Sequence, residues 1–467
     1  MIVKDYKPVL FDGAYKKDEW KLERYLAKGG YAAAKKVLAM KRTPETNNIP
    51  ALIDDVKKAG LRGRGGAGFS TGMKWSFVDY KAKKPRYLAV NFDESEPGTC
   101  KDRVVGTYNP HMLIEGCLIA MHTVGIEHGY IYIRGEFVEV FDHLTRACAE
   151  AYKAGYLGKN VLGSGFNFHI TPHRGSGAYI CGEETGLLSS LEGDRGYPKV
   201  KPPFPAVEGA WRCPTVVNNV CTLSSLPGLF NLGVDAWSMV GAKPGPDGNL
   251  VKNDSPGSQV YCLSGHVKKP GNYEHPMNLT MRELLFDANF GGGMKDDVPL
   301  KAVIPGGSSM PLMRYDGKGY IASNGKEITD NLDMQMSFDS LRSAGSLLGS
   351  AAVIVMNERV CMVNALYNLV RFYHHESCGQ CTPCREGSGW VDKIMHKMVN
   401  GHAKKDDFER LHNVAMQMSG TTICLLADSV SMPVGATIIK FKEEFKYICE
   451  TGKSMVAEKF GSGALRL

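Results

Sequence analysis

Apolar residues recur along this chain in two rhythms, one of helical spacing and one of short strand-like runs. From Asp18 to Met40 the spacing predicts a helix, set in a segment rich in Lys, Tyr and Glu that carries no motif and reads as a packing or docking extension. Ile53, Val56 and Leu61 predict a helix from Pro50 to Leu61, which breaks into the cluster Gly63-Arg64-Gly65-Gly66-Ala67-Gly68. Strand-like and helical runs then alternate at Tyr87 to Asn91, Leu113 to Val124, Gly129 to Arg134 and Val140 to Ala154, the signature of an α/β domain with a mainly parallel sheet. Gly241 to Asn253 reads as a surface linker. A new domain is expected near Ser258, with a hairpin arm at Gln259 to Val267, a helix at Thr280 to Phe286 and a strand at Ala302 to Ile304. After a strand at Ala352 to Val355 the pattern is helical at Cys361 to Phe372, Gly387 to Met398, Asp406 to Met418 and Ile438 to Ile448, which predicts a helical bundle. The expected organisation is an extension over 1–49, an α/β domain over 50–253, a small α+β domain over 254–345, a helical bundle over 346–450 and a tail over 451–467.

Composition narrows the classes. A chain of 467 residues that is 43% hydrophobic can bury several cores. Its formal charge of +7 is small for this length, and the Lys and Arg residues are scattered, so neither nucleic acid nor a lipid surface is implied. The longest uncharged apolar runs, such as Ala351 to Met356, fall far short of the roughly 18 to 20 residues that span a bilayer. No direct membrane insertion is therefore expected. The opening Met1-Ile2-Val3-Lys4-Asp5-Tyr6 lacks the apolar stretch of a secretory signal and the Arg-rich character of a transit peptide, which points to a bacterial cytoplasmic setting or a processed organellar chain. The 13 cysteines are odd in number and mostly isolated, so a disulfide framework is not expected.

Four cysteines stand apart. Cys378-Gly379-Gln380-Cys381-Thr382-Pro383-Cys384 offers three thiols at a spacing of three, and Cys424 follows between apolar residues. Three thiolates in one tight loop and one from a separate element suit an iron–sulfur cubane. Zinc is the rival, but its structural sites usually come as two CxxC pairs. Cys100, Cys117, Cys148, Cys181, Cys213, Cys221, Cys262, Cys361 and Cys449 have no ligand spacing and read as small core residues. His374 and His375, just before the loop, read as surface or helix-terminal residues, with outer hydrogen bonding to a cluster as the alternative.

Gly63, Gly65 and Gly68 satisfy the dinucleotide glycine pattern, yet a helix precedes them where a Rossmann fingerprint requires a strand. Arg62, Arg64 and Lys74 around the loop give it weight, because glycines let backbone N–H groups approach a phosphate that the cations neutralise. The plain alternative is a glycine-rich turn with solvated basic residues. Asn91-Phe92-Asp93-Glu94-Ser95-Glu96-Pro97-Gly98 and Tyr179-Ile180-Cys181-Gly182-Glu183-Glu184-Thr185-Gly186 are polar where a strand meets a loop, the position at which open α/β sheets bind ligands. Carboxylates there suit ribose or ribityl hydroxyls and repel an extra phosphate, which favours NADH over NADPH. Either segment alone also reads as a solvated acidic turn.

Taken in order, Gly60-Leu61-Arg62-Gly63-Arg64-Gly65-Gly66-Ala67-Gly68-Phe69, Asp93-Glu94-Ser95-Glu96-Pro97-Gly98, Gly182-Glu183-Glu184-Thr185, Lys201-Pro202-Pro203-Phe204-Pro205, Val217-Asn218-Asn219 and the run from Glu376 to Gly387 closely resemble the NADH-binding flavoprotein subunit of respiratory complex I, the F-subunit family of NADH:quinone oxidoreductases. The similarity runs from about Pro50 to about Ile448. It implies an α/β multidomain fold: a Rossmann-like FMN domain, a ubiquitin-like (β-grasp) α+β domain and a C-terminal helical bundle carrying a [4Fe–4S] cluster. It implies FMN contacts from Gly63, Arg64, Gly65, Lys74, Asn91, Asp93, Tyr179, Gly182, Glu183, Asn218, Asn219 and Thr222. NADH would meet Gly66, Phe69, Phe77, Glu94, Glu96, Glu184 and Lys201, with the phenylalanines against adenine. The cluster ligands would be Cys378, Cys381, Cys384 and Cys424, and Glu96 is the residue expected to tune the flavin and nicotinamide.

The implied activity is that of an FMN-dependent NADH dehydrogenase of the quinone type. Hydride passes from NADH to FMN, and single electrons pass to the cluster, to a thioredoxin-like [2Fe–2S] subunit and to a larger Fe–S subunit. These partners would hold the chain at the inner face of a bacterial cell membrane. A diaphorase subunit of an NAD-linked hydrogenase or formate dehydrogenase shares the motifs, and a non-catalytic zinc scaffold is a reading from a different class. Phe92, Gly186, Lys199 and Cys221 depart from the usual pattern; Phe92 and Cys221, beside implied FMN contacts, are expected to bear on flavin affinity or potential.

Overall fold

The computed structural model describes residues 9–245, 247–321 and 325–461. Of these, the residues within Met1–Ser95, Cys100–Val260 and Glu274–Asn278 form one compact unit, and those within Glu96–Thr99, Tyr261–Tyr273 and Leu279–Leu467 form another. Most of the segments expected as separate α+β and helical domains lie in the second unit with the short run Glu96–Thr99, while 254–260 and Glu274–Asn278 belong to the first. The end of the expected tail, 462–467, and the first eight residues lie outside the described residues.

The first unit is built on four parallel strands, Tyr87–Phe92 (β1), His128–Ile133 (β2), His169–Arg174 (β3) and Thr215–Asn219 (β4), in the order β3-β2-β1-β4. β1 is central and lies between β2 and β4, with Phe92 opposite Ile133 and Asn91 opposite Asn219. The chain therefore leaves β1 and β4 at the same edge, where the strand order reverses and a crevice opens in sheets of this kind. The expected helix around Leu113 to Val124 runs over Pro110–Val124, and each of its 15 residues is buried. A helix buried all round is a core helix, and its sequence accordingly shows no polar stripe. Val138–Lys153 is amphipathic, burying Val140, Leu144, Ala147, Cys148 and Ala151 at helical spacing.

The single helix expected from Asp18 to Met40 is two, Leu22–Ala27 and Ala32–Leu38. Gly29, at φ 82°, and Tyr31, at φ 63°, break it. The first N–H groups of the second helix find no local cap. Glu115 reaches across from Pro110–Val124 instead, accepting from Tyr31 N at 2.7 Å and Ala34 N at 2.9 Å, with the Tyr25 hydroxyl as a further donor. Burial of this carboxyl pushes it above the usual carboxylate range. The expected linker at Gly241 to Asn253 contains a small hairpin, Lys243–Pro244 (β5) and Leu250–Val251 (β6).

Further along the chain, Ser258–Gly265 (β7), Gly271–Pro276 (β8), Leu300–Ile304 (β9), Met313–Arg314 (β10) and Ala352–Asn357 (β13) form a sheet in the order β10-β9-β13-β7-β8, while Tyr320–Ile321 (β11) and Glu327–Ile328 (β12) pair separately. β13 runs parallel to β7 and antiparallel to β9. Thr280 and Glu283 form a reciprocal cap that starts the helix Met281–Phe286.

The helices that follow are Met362–Glu376, Thr382–Val399, Asp407–Met418, Leu426–Lys440 and Lys442–Thr451. The expected helix from Ile438 to Ile448 spans a break at Phe441, whose backbone leaves the helical region at φ −128° and ψ 38°. A buried ionic network joins the sheet region to these helices. Lys440 Nζ lies 2.7 Å from Asp330, which also accepts from Arg314 N at 2.7 Å, and Lys301 lies 2.5 Å from Glu444. Such pairs hold two packed layers in one arrangement, because either partner left alone would be a buried unpaired charge. No helix among the described residues is long and apolar enough to cross a membrane.

Candidate cofactor site

The glycine loop is pinched at its base: Gly63 N donates to Phe69 O at 2.8 Å, Thr71 N to Leu61 O at 2.9 Å and Arg62 Nε to Gly68 O at 2.7 Å. It rests on the end of β4. Arg64 N donates to Thr222 Oγ1 at 2.8 Å, and a Cβ placed on Gly65 would sit 2.9 Å from Asn219 Cβ. Only glycine permits that approach. Gly66 needs glycine for another reason, a φ of +146°, and a Cβ there would point into open space. The Arg64 guanidinium is turned away into the interior, where it donates to Pro256 O at 2.9 Å.

The ends of β1 and β4 are fixed by side-chain hydrogen bonds. Asn91 Nδ2 donates to Gly182 O at 2.8 Å, and its Oδ1 accepts from Asp93 N at 3.1 Å. Asn218 Oδ1 accepts from Trp75 Nε1 at 2.9 Å. Asn219 caps the helix Val220–Leu232 through Cys221 N and donates from Nδ2 to Asp102 at 2.6 Å. Asp102, 3% exposed, also holds Lys101 Nζ at 3.1 Å, and Lys101 is 1% exposed. Sequence reasoning missed Trp75, Lys101 and Asp102. In the sequence Lys101-Asp102 looks like an ordinary surface pair, and no local signal shows that both are buried beneath Asn219.

Tyr179 opens the turn Tyr179–Gly182, which runs into Glu183 and the helix Glu184–Leu191. Glu183 accepts from Thr185 N at 2.7 Å and Gly186 N at 2.9 Å, so one carboxylate oxygen neutralises the helix start. Its other oxygen lies 3.0 Å from Lys201 Nζ, which approaches Glu184 to 2.7 Å; Lys74 Nζ lies 3.4 Å from Glu184 and donates to Val217 O at 3.1 Å. Burial raises the Glu184 carboxyl, but Lys74 and Lys201 outweigh it and hold it below the usual range. Phe69 and Phe77, 48% and 53% exposed, stand with ring centroids 6.1 Å apart at the two ends of the short helix Thr71–Ser76.

The glycine loop, Lys74, Asn91, Asp93, the Tyr179–Glu184 turn, Lys201, Asn218, Asn219 and Thr222 are therefore one connected constellation. Two of the acidic residues are engaged otherwise. Glu94 is buried, and its carboxylate accepts from Asp102 N at 2.8 Å and Arg103 N at 2.9 Å at the start of the helix Lys101–Tyr108. Burial and the neighbouring Asp102 push it upward. Glu96 accepts from Ser309 N and Oγ and from Tyr373, all within the second unit. Phe92 points into the core, its ring 6.2 Å from Phe137 and close against Gly106, while the Cys221 thiol is buried near Asp102.

Of the cysteine run, Cys378 precedes the helix Thr382–Val399, Cys381 is its N-cap residue and Cys384 lies in its first turn, so the run is half loop and half helix. Cys381 Sγ accepts from Ile423 N at 3.4 Å, which brings in the segment bearing Cys424, and Cys384 Sγ lies 3.2 Å from Ser377 Oγ. Among the described residues no three His, Cys, Asp or Glu side chains are grouped as a bound metal ion would require. The donor set nevertheless fits a thiolate-ligated cluster: none of the four thiols is in a disulfide, and three of them stand at or just before the start of one helix.

Comparison with known proteins places these regions. Residues 56–228 match the Nuo51 FMN-binding domain, 260–312 the SLBB domain and 364–448 the NADH-ubiquinone oxidoreductase-F iron-sulfur binding region. The F subunit of the NADH-quinone oxidoreductase of Rickettsia typhi is 48% identical over 396 residues, covering 85% of this chain and 88% of that protein. The second F subunit of the Rhizobium meliloti NADH-quinone oxidoreductase is 46% identical over 440 residues, 94% and 97% of the two chains. In the crystal structure of an NAD+-reducing [NiFe]-hydrogenase in its H2-reduced state, one chain superposes with a TM-score of 0.74 at 31% identity, covering 91% of this chain and 66% of that one. With near-half identity to these relatives over most of its length, the chain belongs to the F-subunit family of NADH-quinone oxidoreductases.

Proposed function

We propose that this chain is the electron-input subunit of an NADH-quinone oxidoreductase, an FMN-dependent NADH dehydrogenase. The observation that carries the reading is the constellation at the ends of β1 and β4, where a glycine loop, two lysines and a capped helix start converge at the reversal of strand order. Residues 50–253 are read as a Rossmann-like flavin domain, 254–345 as ubiquitin-like and 346–450 as the cluster-bearing bundle.

A bound FMN would supply an acceptor for two electrons that can release them singly, and a [4Fe–4S] cluster a one-electron carrier. The chain supplies position and charge. Gly63, Gly65 and Gly66 let the loop backbone approach the flavin phosphate, and Lys74 supplies positive charge beside it. Asn91, Asp93, Tyr179, Gly182, Glu183, Asn218, Asn219 and Thr222 would meet the rest of the flavin, with Trp75 holding Asn218 and Asp102 holding Asn219. Arg64 acts through its backbone. Phe69 and Phe77 offer exposed aromatic faces to adenine. Glu184, kept anionic between Lys74 and Lys201, repels a 2′-phosphate and so selects NADH. Glu96 adjusts the environment of the flavin and nicotinamide. Cys378, Cys381, Cys384 and Cys424 hold the cluster, and Fe–S partner subunits take the electrons onward and tether the chain to the inner face of the membrane.

The likeness to a hydrogenase chain supports a second reading, the diaphorase module of an NAD-linked hydrogenase, which uses the same site with a different final acceptor. The test is the visible spectrum of anaerobically purified protein before and after NADH. Flavin bands over a broad iron–sulfur background, both bleached by NADH, are expected. A colourless zinc protein that reconstitution fails to load with flavin and iron would overturn both readings.

A further inference from the structure

Glu96 is held by more donors than a solvated acidic turn would supply. Its Oε1 accepts from Ser309 N at 2.8 Å, Ser309 Oγ at 2.7 Å, Tyr373 OH at 3.2 Å and Ser308 Oγ at 3.3 Å. Ser308 Oγ and Tyr373 OH are themselves 2.5 Å apart. Each hydroxyl carries one proton. Either the tyrosine donates to the serine and the serine to Glu96, or the serine donates to the tyrosine and the tyrosine to Glu96. In both arrangements the carboxylate keeps one hydroxyl donor from this pair in addition to Ser309.

The anchors come from elements that sequence separates widely. Ser308 and Ser309 follow β9 and are buried at 0% and 5% exposure, and Tyr373 is 1% exposed in the last turn of Met362–Glu376, the helix that ends just before Cys378. The turn is fastened a second time, by Thr99 Oγ1 to Ser350 Oγ at 2.5 Å. Burial, with Glu96 beside it, keeps the Tyr373 hydroxyl protonated far above its usual range, so it remains a donor at any working pH. Nothing in the family motifs marks Ser308, Ser309 or Tyr373.

We propose that Tyr373, with Ser308 and Ser309, is a positioning residue for the reaction: it sets the orientation of Glu96, and through Glu96 the rate of electron entry from NADH. The inference rests on the reading that Glu96 acts at the cofactor. Its test is steady-state NADH oxidation by the intact chain with ferricyanide as acceptor, measured for the native protein, Tyr373→Phe, Glu96→Ala and the double variant, with flavin content and melting temperature recorded for each.

Tyr373→Phe keeps the ring and removes the hydroxyl that in either arrangement ties Ser308 to Glu96; Ser308 alone is then left to donate, from 3.3 Å, so kcat is expected to fall about three- to tenfold while KM for NADH stays within about twofold. In the Glu96→Ala background the same substitution is expected to cost nothing further, because there is no carboxylate left to orient. Equal losses in both backgrounds, or native kinetics for Tyr373→Phe beside a slowed Glu96→Ala, would overturn the proposal alone. Native kinetics for Glu96→Ala would overturn the role of Glu96 itself, and the proposal with it. If Tyr373→Phe loses flavin or stability, Ser309→Ala, which removes one hydroxyl and leaves the backbone donor, gives the same comparison.

Discussion

Replacing Gly65 by alanine is the sharpest probe of the glycine loop. The added Cβ lies 2.9 Å from Asn219 Cβ, well inside the carbon–carbon contact optimum of about 3.5 to 4.0 Å. Asn219 cannot give way cheaply. Its amide is bonded to Asp102 at 2.6 Å, its Oδ1 caps the following helix, and its backbone pairs with Asn91 in the sheet. The loop must move instead, by several tenths of an ångström, against the Arg64 N to Thr222 bond of 2.8 Å. Overpacking of this size costs about 1–3 kcal/mol. The clash falls on the loop proposed to face the flavin phosphate, so the cost should appear in flavin affinity, about 5- to 150-fold. Titrating flavin-depleted protein with FMN and following the loss of flavin fluorescence measures it. Binding within twofold of native, with the fold intact, would refute the claim that close contact between this loop and β4 shapes the flavin site.

Glu184→Gln is expected to raise the NADPH-to-NADH ratio of kcat/KM about tenfold or more, since the repulsion of the 2′-phosphate disappears; an unchanged ratio would remove Glu184 from nucleotide selection. Because the folded Glu184 carboxyl is held below its unfolded value, the stability it contributes is fully present above about pH 4.5 and is lost as pH falls through the lower folded value. Melting temperatures between pH 6 and 3 should therefore fall less steeply in Glu184→Gln than in the native chain, and parallel curves would contradict the assignment. Cys424→Ala should lose cluster iron while retaining NADH oxidation by ferricyanide, and full iron content would exclude Cys424 as a ligand. Asp330→Asn leaves Lys440 as a buried charge facing a neutral amide and should destabilise the second unit by about 3–5 kcal/mol in chemical denaturation, whereas Asp333→Asn, at an exposed pair, should leave the denaturation midpoint unchanged.

What the sequence disclosed follows the range of the interactions involved. The glycine loop was legible because its requirements are local: a close approach at Gly65 and a positive φ at Gly66. The cysteine run was legible for the same reason, although its third member lies in a helical turn, since Pro383 suits the first turn of a helix as well as a loop. The parallel sheet was legible from alternation. Leu426–Lys440 was not, because a helix buried on nearly all sides shows no polar stripe and carries Pro433 inside it, so helical periodicity emerges only at Ile438 and runs across the break at Phe441.

The acidic residues mark where sequence reading stops. Glu94, Glu96 and Glu184 look alike along the chain, each in a polar run after a strand or turn, and by motif each faces the nucleotide. Their surroundings come from residues far away. Glu94 closes the start of a helix from the inside, Glu96 is gripped by two serines and a tyrosine more than two hundred positions on, and Glu184 sits between two lysines. A carboxylate's chemistry depends on which donors and cations reach it, and a motif fixes only the carboxylate. Glu184 has a charge the solvent can still feel, so it suits selection at a distance. Glu96 has its geometry fixed on one oxygen by donors that cannot drift apart, so substitution of those donors, and not only of the glutamate, should register in turnover.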